Sequence, residues 1–528
     1  MVPTIALVRR LLIALALVVS IACSATVAPS PTAVATPVAS PSAALAADRI
    51  QLLHTDDIHG HLDTDLVQSA STSSSFQAGG MAQLAGQVQA FRSRAPSRTL
   101  LVDAGDAWQG TFISNANKGE AVTKAMSIMK YDALAVGNHD FDWGQEVLAQ
   151  RAKEATFPFL AANVTETSVG RAPTYLKTYT VKDLGIARVG VIGITRPDAA
   201  TIVKATSVAG LKFGPVADSV RAYLPEVQRQ SDIVVVAAHL GIAEATQLAK
   251  DVPGIDVIVA AHDHVPIRTA RLEGRTTIVD AGAYTQYLGR LEIIVDPATH
   301  RMKDAIRSDE LTAIAANPNV KPDAEIAKLV EERRAEGQKF TSRIVGRTTE
   351  PLSNAREETG FGNLIADAFV DYGRQQGWKT DVAFYNMAGV RASFPAGQLT
   401  YGQLYEALPF SNTIVTLDLA GGDLRAIIDR AVCVSGRLHM AAVVVSFKFE
   451  GGTPNCVRTI TVGGQPLDPA RIYHVATIDY LLLGGDGHTG FAKGTNVMYG
   501  DIEVDVVAAY ITAHSPVSPK VEGRLHQS

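Results

Sequence analysis

The stretch LLHTDDIHGHL, residues 52–62, holds three His and two Asp in eleven positions, directly after an apolar run. Imidazoles and carboxylates at that density suit proton transfer or the holding of a metal ion. Four further clusters of the same chemistry follow along the chain. They are Gly105-Asp106 in DAGDAWQG, Gly137-Asn138-His139-Asp140 in VGNHDFDWG, His239 in AAHLG, and His262-Asp263-His264 in AAHDHV. Singly, a GD pair reads as a turn and HDH as a polar loop. Five such clusters, each ending an apolar run, point instead to one shared site. Carboxylate and amide oxygens mixed with imidazole suit Zn, Mn or Fe, and Mg or Ca less well. Two such cations about 3.5–4 Å apart can clamp the attacking and leaving oxygens of a phosphoryl group. Asp57 and His59 alternate about Ile58, which on a strand would put both on one face.

Something must hold these clusters at one edge. IQLLHTDD, TLLVDAGD, DALAVGNHD, ARVGVIGIT, DIVVVAAHLG, DVIVAAHDH and TTIVDAGAY are short runs of Val, Ile, Leu and Ala. Continuous rather than alternating apolar runs imply strands buried on both faces. Helical stretches such as GGMAQLAGQVQAFRSRA and KGEAVTKAMSIMK lie between them. The expectation for residues 49–315 is a layered α/β domain, whose ligands collect at strand ends. Residues 316–342 include the charged KPDAEIAKLVEERRAEGQKF, which predicts a connecting helix. Residues 343–525 mix the helical GNLIADAFVDYGRQQG with the strand-like DVAFYN, TIVTLDLAG, AVVVSFKFE, RTITVGG and IYHVATIDYLL, an α+β pattern.

The chain has 528 residues, 47% apolar and 19% charged, with a net charge of −5. That length calls for more than one domain. The absence of a long basic run argues against a nucleic-acid polymer as partner. Arg9 and Arg10 precede LLIALALVVSIA, too short to span a membrane and fitting the core of a signal peptide over residues 1–22. SIAC resembles the bacterial lipoprotein signal, with Ser20 where Leu is usual, so Cys23 is expected to carry lipid and anchor the protein to a membrane. Residues 23–48, rich in Ala, Pro, Ser and Thr, would form a tether. The protein is therefore expected outside the cytoplasm, as a cell-envelope lipoprotein or secreted. Cys433 and Cys456 remain, and in such a compartment they can bridge.

The five clusters, in this order, resemble the calcineurin-like metallophosphoesterases, whose pattern is D-x-H, G-D, G-N-H-D/E, H, then G-H-x-H. Ala261 stands where the last Gly is usual. The resemblance implies two divalent metal ions. Asp57, His59 and His264 would hold the first, and Asn138, His239 and His262 the second, with Asp106 bridging. A water between them would be acidified to hydroxide. It further implies that His139 stabilises charge on the phosphoryl group and that Asp142 fixes its tautomer. His54, Asp56, His61, Asp63 and Asp140 are expected in support.

Both halves together, residues 49–520, resemble the two-domain 5′-nucleotidase family, through TGFGNLIADA, YNMAGVRASFPAG, LPFSNT and IDYLLLGGDGHTGF. The implied fold is two sheets sandwiched by helices, followed by an α+β substrate-binding domain. The implied substrate is a nucleotide: Phe410 and Tyr480 stack on the base, Asp486 accepts from the ribose, Asn386 contacts the base, and Arg391 faces a phosphate or carboxylate. Tyr480 replaces a usual Phe. In REETGFGN, Glu357 falls where a phosphate-binding Arg is common, Gly360 replaces the usual Asn, and Arg356, one residue away, is the candidate phosphate contact. The expected reaction is hydrolysis of a nucleotide phosphomonoester. Alternatives on the same architecture are a UDP-sugar or dinucleotide pyrophosphatase, a 2′,3′-cyclic-nucleotide phosphodiesterase and a sulfur-ester hydrolase. A surface receptor without turnover is the alternative from another class.

Overall fold

The computed structural model describes residues 44–68, 75–203, 205–306, 311–314, 319–410, 412–434, 437–449 and 456–527. The expected signal peptide, Cys23 and most of the tether lie outside the described residues. In the first half, two sheets pack face to face. One runs in the order Met302–Ile306, Tyr287–Val295, Arg49–Thr55, Thr99–Asp103, Ala133–Ala135, Phe159–Leu160, with Leu311–Ala313 paired to Tyr287–Val295. The other runs Arg271–Glu273, Thr276–Val279, Val257–Val259, Ile233–Ala238, Arg188–Ile194, Tyr179–Asp183.

Ile50, Leu52, Leu100 and Val102 of the first sheet meet Val189, Val191, Val235 and Val257 of the second. Their alternates, Leu53 and Leu101, face the other way and share a core with Leu84 and Val88 of helix Met81–Arg94 and Val122 of helix Glu120–Ile128. Helices Val216–Gln230 and Ile242–Asp251 cover the second sheet, setting Val220, Leu224 and Leu248 against Ile192, Val234 and Val236. Each central strand is thus apolar on both faces, which is why it reads as a continuous run. Arg49–Thr55, Thr99–Asp103 and Ala133–Ala135 run parallel in one sheet, and Arg188–Ile194, Ile233–Ala238 and Val257–Val259 in the other.

Helix Ala324–Thr341 follows, its start fixed by Asp323, which accepts from the N–H groups of Glu325 and Ile326 at 3.0 Å. Ile326, Leu329 and Val330 belong to the first half's core, and Arg334 pairs with Asp63 at 2.6 Å. The second half has a five-stranded sheet in the order Leu438–Ala441, Val382–Asn386, Ile472–Ile478, Thr413–Ala420, Thr495–Ile502, and a smaller four-stranded one. Helix Gly360–Gln375 begins where the Thr359 hydroxyl accepts from Gly362 N–H at 3.0 Å. Cys433 and Cys456 are disulfide-bonded. The sequence suggested one strand through IYHVATIDYLL. It ends at Ile478, and Asp479–Leu482 forms a helical turn in which the Asp479 carboxylate accepts from Tyr480 N–H at 3.0 Å and Thr413 N–H at 3.1 Å.

The two halves touch beside the strand ends. Gln109 and Asn115 side-chain amides both donate to the Pro409 carbonyl, at 3.2 and 3.1 Å, and the Phe112 and Tyr405 rings meet edge to face. Among the described residues, no helix is long and apolar enough to cross a membrane.

Candidate metal centre and cleft

Strand Arg49–Thr55 stops two residues short of Asp57, so the expected alternation of Asp57 and His59 on a strand face is not what aligns them. Both adopt left-handed backbone, φ 48° each, in a loop held by Asp57 N–H to the Gly105 carbonyl (3.0 Å) and His59 N–H to the Asp106 carbonyl (2.9 Å). Asp106, His262 and His264 are left-handed as well. Such backbone costs about 1–3 kcal/mol at a non-glycine residue and persists where surrounding contacts impose it.

One donor atom each from Asp57, His59 and His264 lies within 4.8 Å of the others, and the same holds for Asp106, His239 and His262. Asp106 sits between the groups: its Oδ2 is 3.1 Å from His239 Nε2 and 3.7 Å from His59 Nε2. Asn138 Oδ1 is 3.1 Å from His239 Nε2. Two carbonyls set the imidazoles: His59 Nδ1 faces Gln109 O at 2.6 Å and His239 Nδ1 faces Ala104 O at 3.0 Å. A ring that donates through Nδ1 keeps its Nε2 lone pair for the centre. Gly137 is required beside Asp106, since a Cβ there would lie 2.2 Å from Asp106 Oδ1. Asp57 Oδ2 accepts from His262 N–H at 2.7 Å, while its Oδ1 is buried with no hydrogen-bond partner. A buried carboxylate oxygen without a donor, 3.5 Å from His264 Nε2 and 3.9 Å from His59 Nε2, fits a divalent cation at the first group, and Asp106 with His239 and His262 offers the same kinds of donor at the second.

His139 Nδ1 lies 2.8 Å from Asp142 Oδ2, and the His139 N–H donates to Asp106 Oδ1 at 2.8 Å. Burial opposes the charged His139 ring, but the Asp142 and Asp106 carboxylates outweigh it and hold its pKa above the ordinary range. Burial would likewise raise the Asp106 carboxyl; His239, His139 and His59 outweigh that and keep it well below the usual carboxylate range. Burial pushes His59 down, with the neighbouring His264 adding, and pushes His262 to about 3, so both rings are neutral.

These groups open onto a cavity of about 450 Å³ whose far wall comes from the second half. Arg356, Asn386, Arg391, Phe410, Tyr480 and Asp486 all line it. The Phe410 ring lies 5.5 Å from that of His139, and the Arg391 guanidinium lies 5.5 Å from the Phe410 centroid. Arg356, not Glu357, faces this cavity; Glu357 lines a different one. Burial lowers the Arg356 pKa and the like charge of Arg391 lowers it further, with the Asp486 carboxylate opposing both.

Two family models match, the calcineurin-like phosphoesterase over residues 50–266 and the 5′-nucleotidase C-terminal domain over 344–493. The chain belongs to the two-domain 5′-nucleotidase family. Its members share a metal-dependent chemistry, the hydrolysis of phosphate esters. A snake venom 5′-nucleotidase from Crotalus adamanteus is 26% identical over 537 residues, covering 92% of this chain and 90% of its own. The crystal structure of a 5′-nucleotidase precursor from Thermus thermophilus matches with a TM-score of 0.80 and 27% identity, covering 91% of this chain and 99% of that one. A Thermus thermophilus sulfate thiohydrolase matches with a TM-score of 0.75 at 17% identity, over 90% and 96%, and shares the fold.

Within this 5′-nucleotidase frame, the residues expected in support take definite places. The Asp140 carboxylate accepts from the N–H groups of Gly137, Ala107 and Asp106 at 2.8, 2.9 and 3.1 Å, tying the second and third clusters together. Asp56 accepts from Ala281 N–H at 2.9 Å, and His54 is buried 3.4 Å from Asp56. His61 packs its ring 4.4 Å from that of Tyr284. Arg196 and Tyr284, placed beside these groups, escaped the sequence reading. Arg196 lines the cavity, bound by both oxygens of Asp198 at 2.8 Å and by Glu244 at 3.3 Å. Tyr284 packs 5.2 Å from the His264 ring and accepts from Arg391 across the cleft at 3.4 Å. Both follow the ends of parallel strands, as the metal-binding candidates do, and that position is the signal that marks them.

Proposed function

We propose that this chain is an exported two-metal phosphohydrolase that cleaves nucleotide phosphomonoesters to nucleoside and phosphate. One observation carries the reading: the carboxylate–imidazole groups and the wall of guanidinium, aromatic and carboxylate side chains face the same cavity. Asp57, His59 and His264 would hold one cation and Asn138, His239 and His262 the other, with Asp106 between. Bound there, the cations would supply Lewis acidity and water activation.

The protein's own side chains do the rest. Arg356 and Arg391 take phosphate oxygens as charged donors. His139, kept cationic by Asp142, donates to a phosphoryl oxygen as charge grows there. Phe410 and Tyr480 offer flat faces to the base, Asn386 its amide, and Asp486 a carboxylate near the sugar. Export is supported by the residue 1–23 pattern and by the Cys433–Cys456 bridge, a bond that persists in oxidising compartments. Lipid on Cys23 would anchor the protein.

Arg196 favours a second reading. It is a third guanidinium of the cavity, on the metal side, and would take the second phosphate of a UDP-sugar or dinucleotide by exchanging its Asp198 and Glu244 partners for it. One panel separates these readings: phosphate, sugar-phosphate or nucleoside-monophosphate formation from nucleoside 5′-monophosphates, UDP-glucose, a 2′,3′-cyclic nucleotide and a dinucleotide, with Mn²⁺, Zn²⁺ and Co²⁺. Phosphate release fastest from the monophosphates is expected. Preferred cleavage of UDP-glucose or the dinucleotide supports the second reading, and no turnover of any compound refutes both.

A further inference from the structure

Asp486 is the carboxylate that the nucleotide reading places beside the sugar, and it is already engaged on both oxygens. Its Oδ1 accepts from the Tyr480 hydroxyl at 2.9 Å, and its Oδ2 accepts from Asn386 Nδ2 at 3.0 Å. The Asp486 N–H donates back to the same hydroxyl at 3.1 Å, closing a small ring of hydrogen bonds. The backbone is built for this ring. Asp486 is left-handed, φ 52°, between the left-handed Gly484 and Gly487. A Cβ on Gly485 would fall 2.4 Å from Tyr480 Cε1, so the loop lies flat on the tyrosine ring. Burial raises the Tyr480 pKa and the Asp486 charge raises it further, so the hydroxyl keeps its proton and stays a donor across the working pH range.

A ribose 2′,3′-diol is a pair of donors, and a carboxylate with two free oxygens is its natural acceptor. Here each oxygen already holds one donor supplied by the protein. A sugar hydroxyl must add to a remaining lone pair of a carboxylate whose charge two donors already draw on, or displace the Tyr480 hydroxyl, whose proton then has no acceptor while its oxygen keeps the Asp486 N–H. The added bond is weakened by the donors already present, and in the exchange a hydrogen bond gained for one lost contributes almost nothing, so the hydroxyl adds little net binding by either route. Removing the sugar hydroxyl likewise leaves no buried acceptor bare, and a bare acceptor is what makes a site reject the deoxy analogue.

We infer that Tyr480 is a specificity-determining residue that occupies the sugar-facing carboxylate, so that the cleft takes 2′-deoxyribonucleotides about as readily as ribonucleotides. The inference rests on the nucleotide reading above. The phenyl ring and the hydroxyl then have separable roles: the ring offers a face to the base, and the hydroxyl sets sugar tolerance. The substitution Tyr480→Phe keeps the ring and frees Asp486 Oδ1.

The test is kcat/KM for AMP and dAMP, and for UMP and dUMP, with wild-type protein and Tyr480→Phe, each loaded with Mn²⁺. Wild type is expected to hold the two sugars within about threefold, and Tyr480→Phe to raise the ribose preference about tenfold, the scale of one hydrogen bond to a charged acceptor. General damage to the cleft would slow both sugars equally and leave the ratio fixed, so the ratio isolates the hydroxyl's role. A wild-type ribose preference above about thirtyfold, or an unchanged ratio in Tyr480→Phe, overturns the inference and leaves the nucleotide reading standing. Hydrolysis of p-nitrophenyl phosphate with no turnover of any of the four nucleotides overturns both.

Discussion

Gly137→Ala is the sharpest probe of the bridging carboxylate, because it adds one methyl group and no charge. Gly137 is outside the left-handed region, so the backbone accepts alanine without strain. The new Cβ, however, would sit 2.2 Å from Asp106 Oδ1 and 2.4 Å from Asp106 N, where real contacts stay beyond 3.0 Å. Something must move by about 0.8 Å. Asp106 N is tied to Asp140 at 3.1 Å, and Gly137 N to the same carboxylate at 2.8 Å, so the backbone on both sides resists. Moving the Asp106 side chain relieves the Oδ1 contact but not the N contact, so the residue shifts as a whole and loses the His139 N–H bond and the alignment of Oδ2 between His239 and His59. A displacement near 1 Å in a positioned group costs on the order of 10²-fold in rate. Expected are a fall of that size in kcat/KM for AMP, a weaker hold on metal by mass spectrometry of the dialysed protein, and an unchanged far-ultraviolet circular dichroism spectrum. Wild-type rate and metal content in Gly137→Ala would refute the placement of Asp106 between the two groups.

Asp142→Asn removes the charge beside His139 Nδ1 and should lower kcat about 10²-fold while leaving bound metal and KM for AMP nearly unchanged. Glu503, which accepts from Asn412 Nδ2 at 3.0 Å next to the Phe410 loop, is raised from 4.5 to about 8 by burial, with Asp479 adding. Its native form binds the proton more tightly than the unfolded chain does, so it stabilises below pH 4.5 and that contribution is lost as pH rises to 8. The slope is at most about 1.4 kcal/mol per unit. Glu503→Gln should flatten that part of the melting-temperature profile, and an unaltered profile would remove Glu503 from the account. Cys433 and Cys456 are 23 residues apart, and opening the bridge by Cys433→Ser with Cys456→Ser should cost about 3 kcal/mol. Equal denaturation midpoints for the two proteins would contradict this.

The layered fold was legible because buried parallel strands must be apolar on both faces, and Ile50, Leu52 and Leu53 announce that directly. The expected metal-binding residues stood out because each cluster ends such a strand. What stayed hidden depends on contacts far apart in sequence. The left-handed turns at Asp57 and His59 exist because Gly105 and Asp106 carbonyls receive their N–H groups, and no local pattern encodes that. Strand Tyr287–Val295 carries Arg290 and Glu292 in its middle, paired with each other and with Arg49, and this interrupts the apolar run that would have marked it. Tyr480 reads as a stacking ring, while its bond to Asp486 depends on a glycine loop folding back over it.

The account stands on two cations sharing Asp106, and anomalous diffraction from crystals of the full chain grown with Mn²⁺ tests this most directly. Two peaks about 3.5–4 Å apart are predicted, one against Asp57, His59 and His264, the other against Asn138, His239 and His262, with Asp106 touching both. A single peak, or two peaks that leave Asp106 without a metal neighbour, would contradict it.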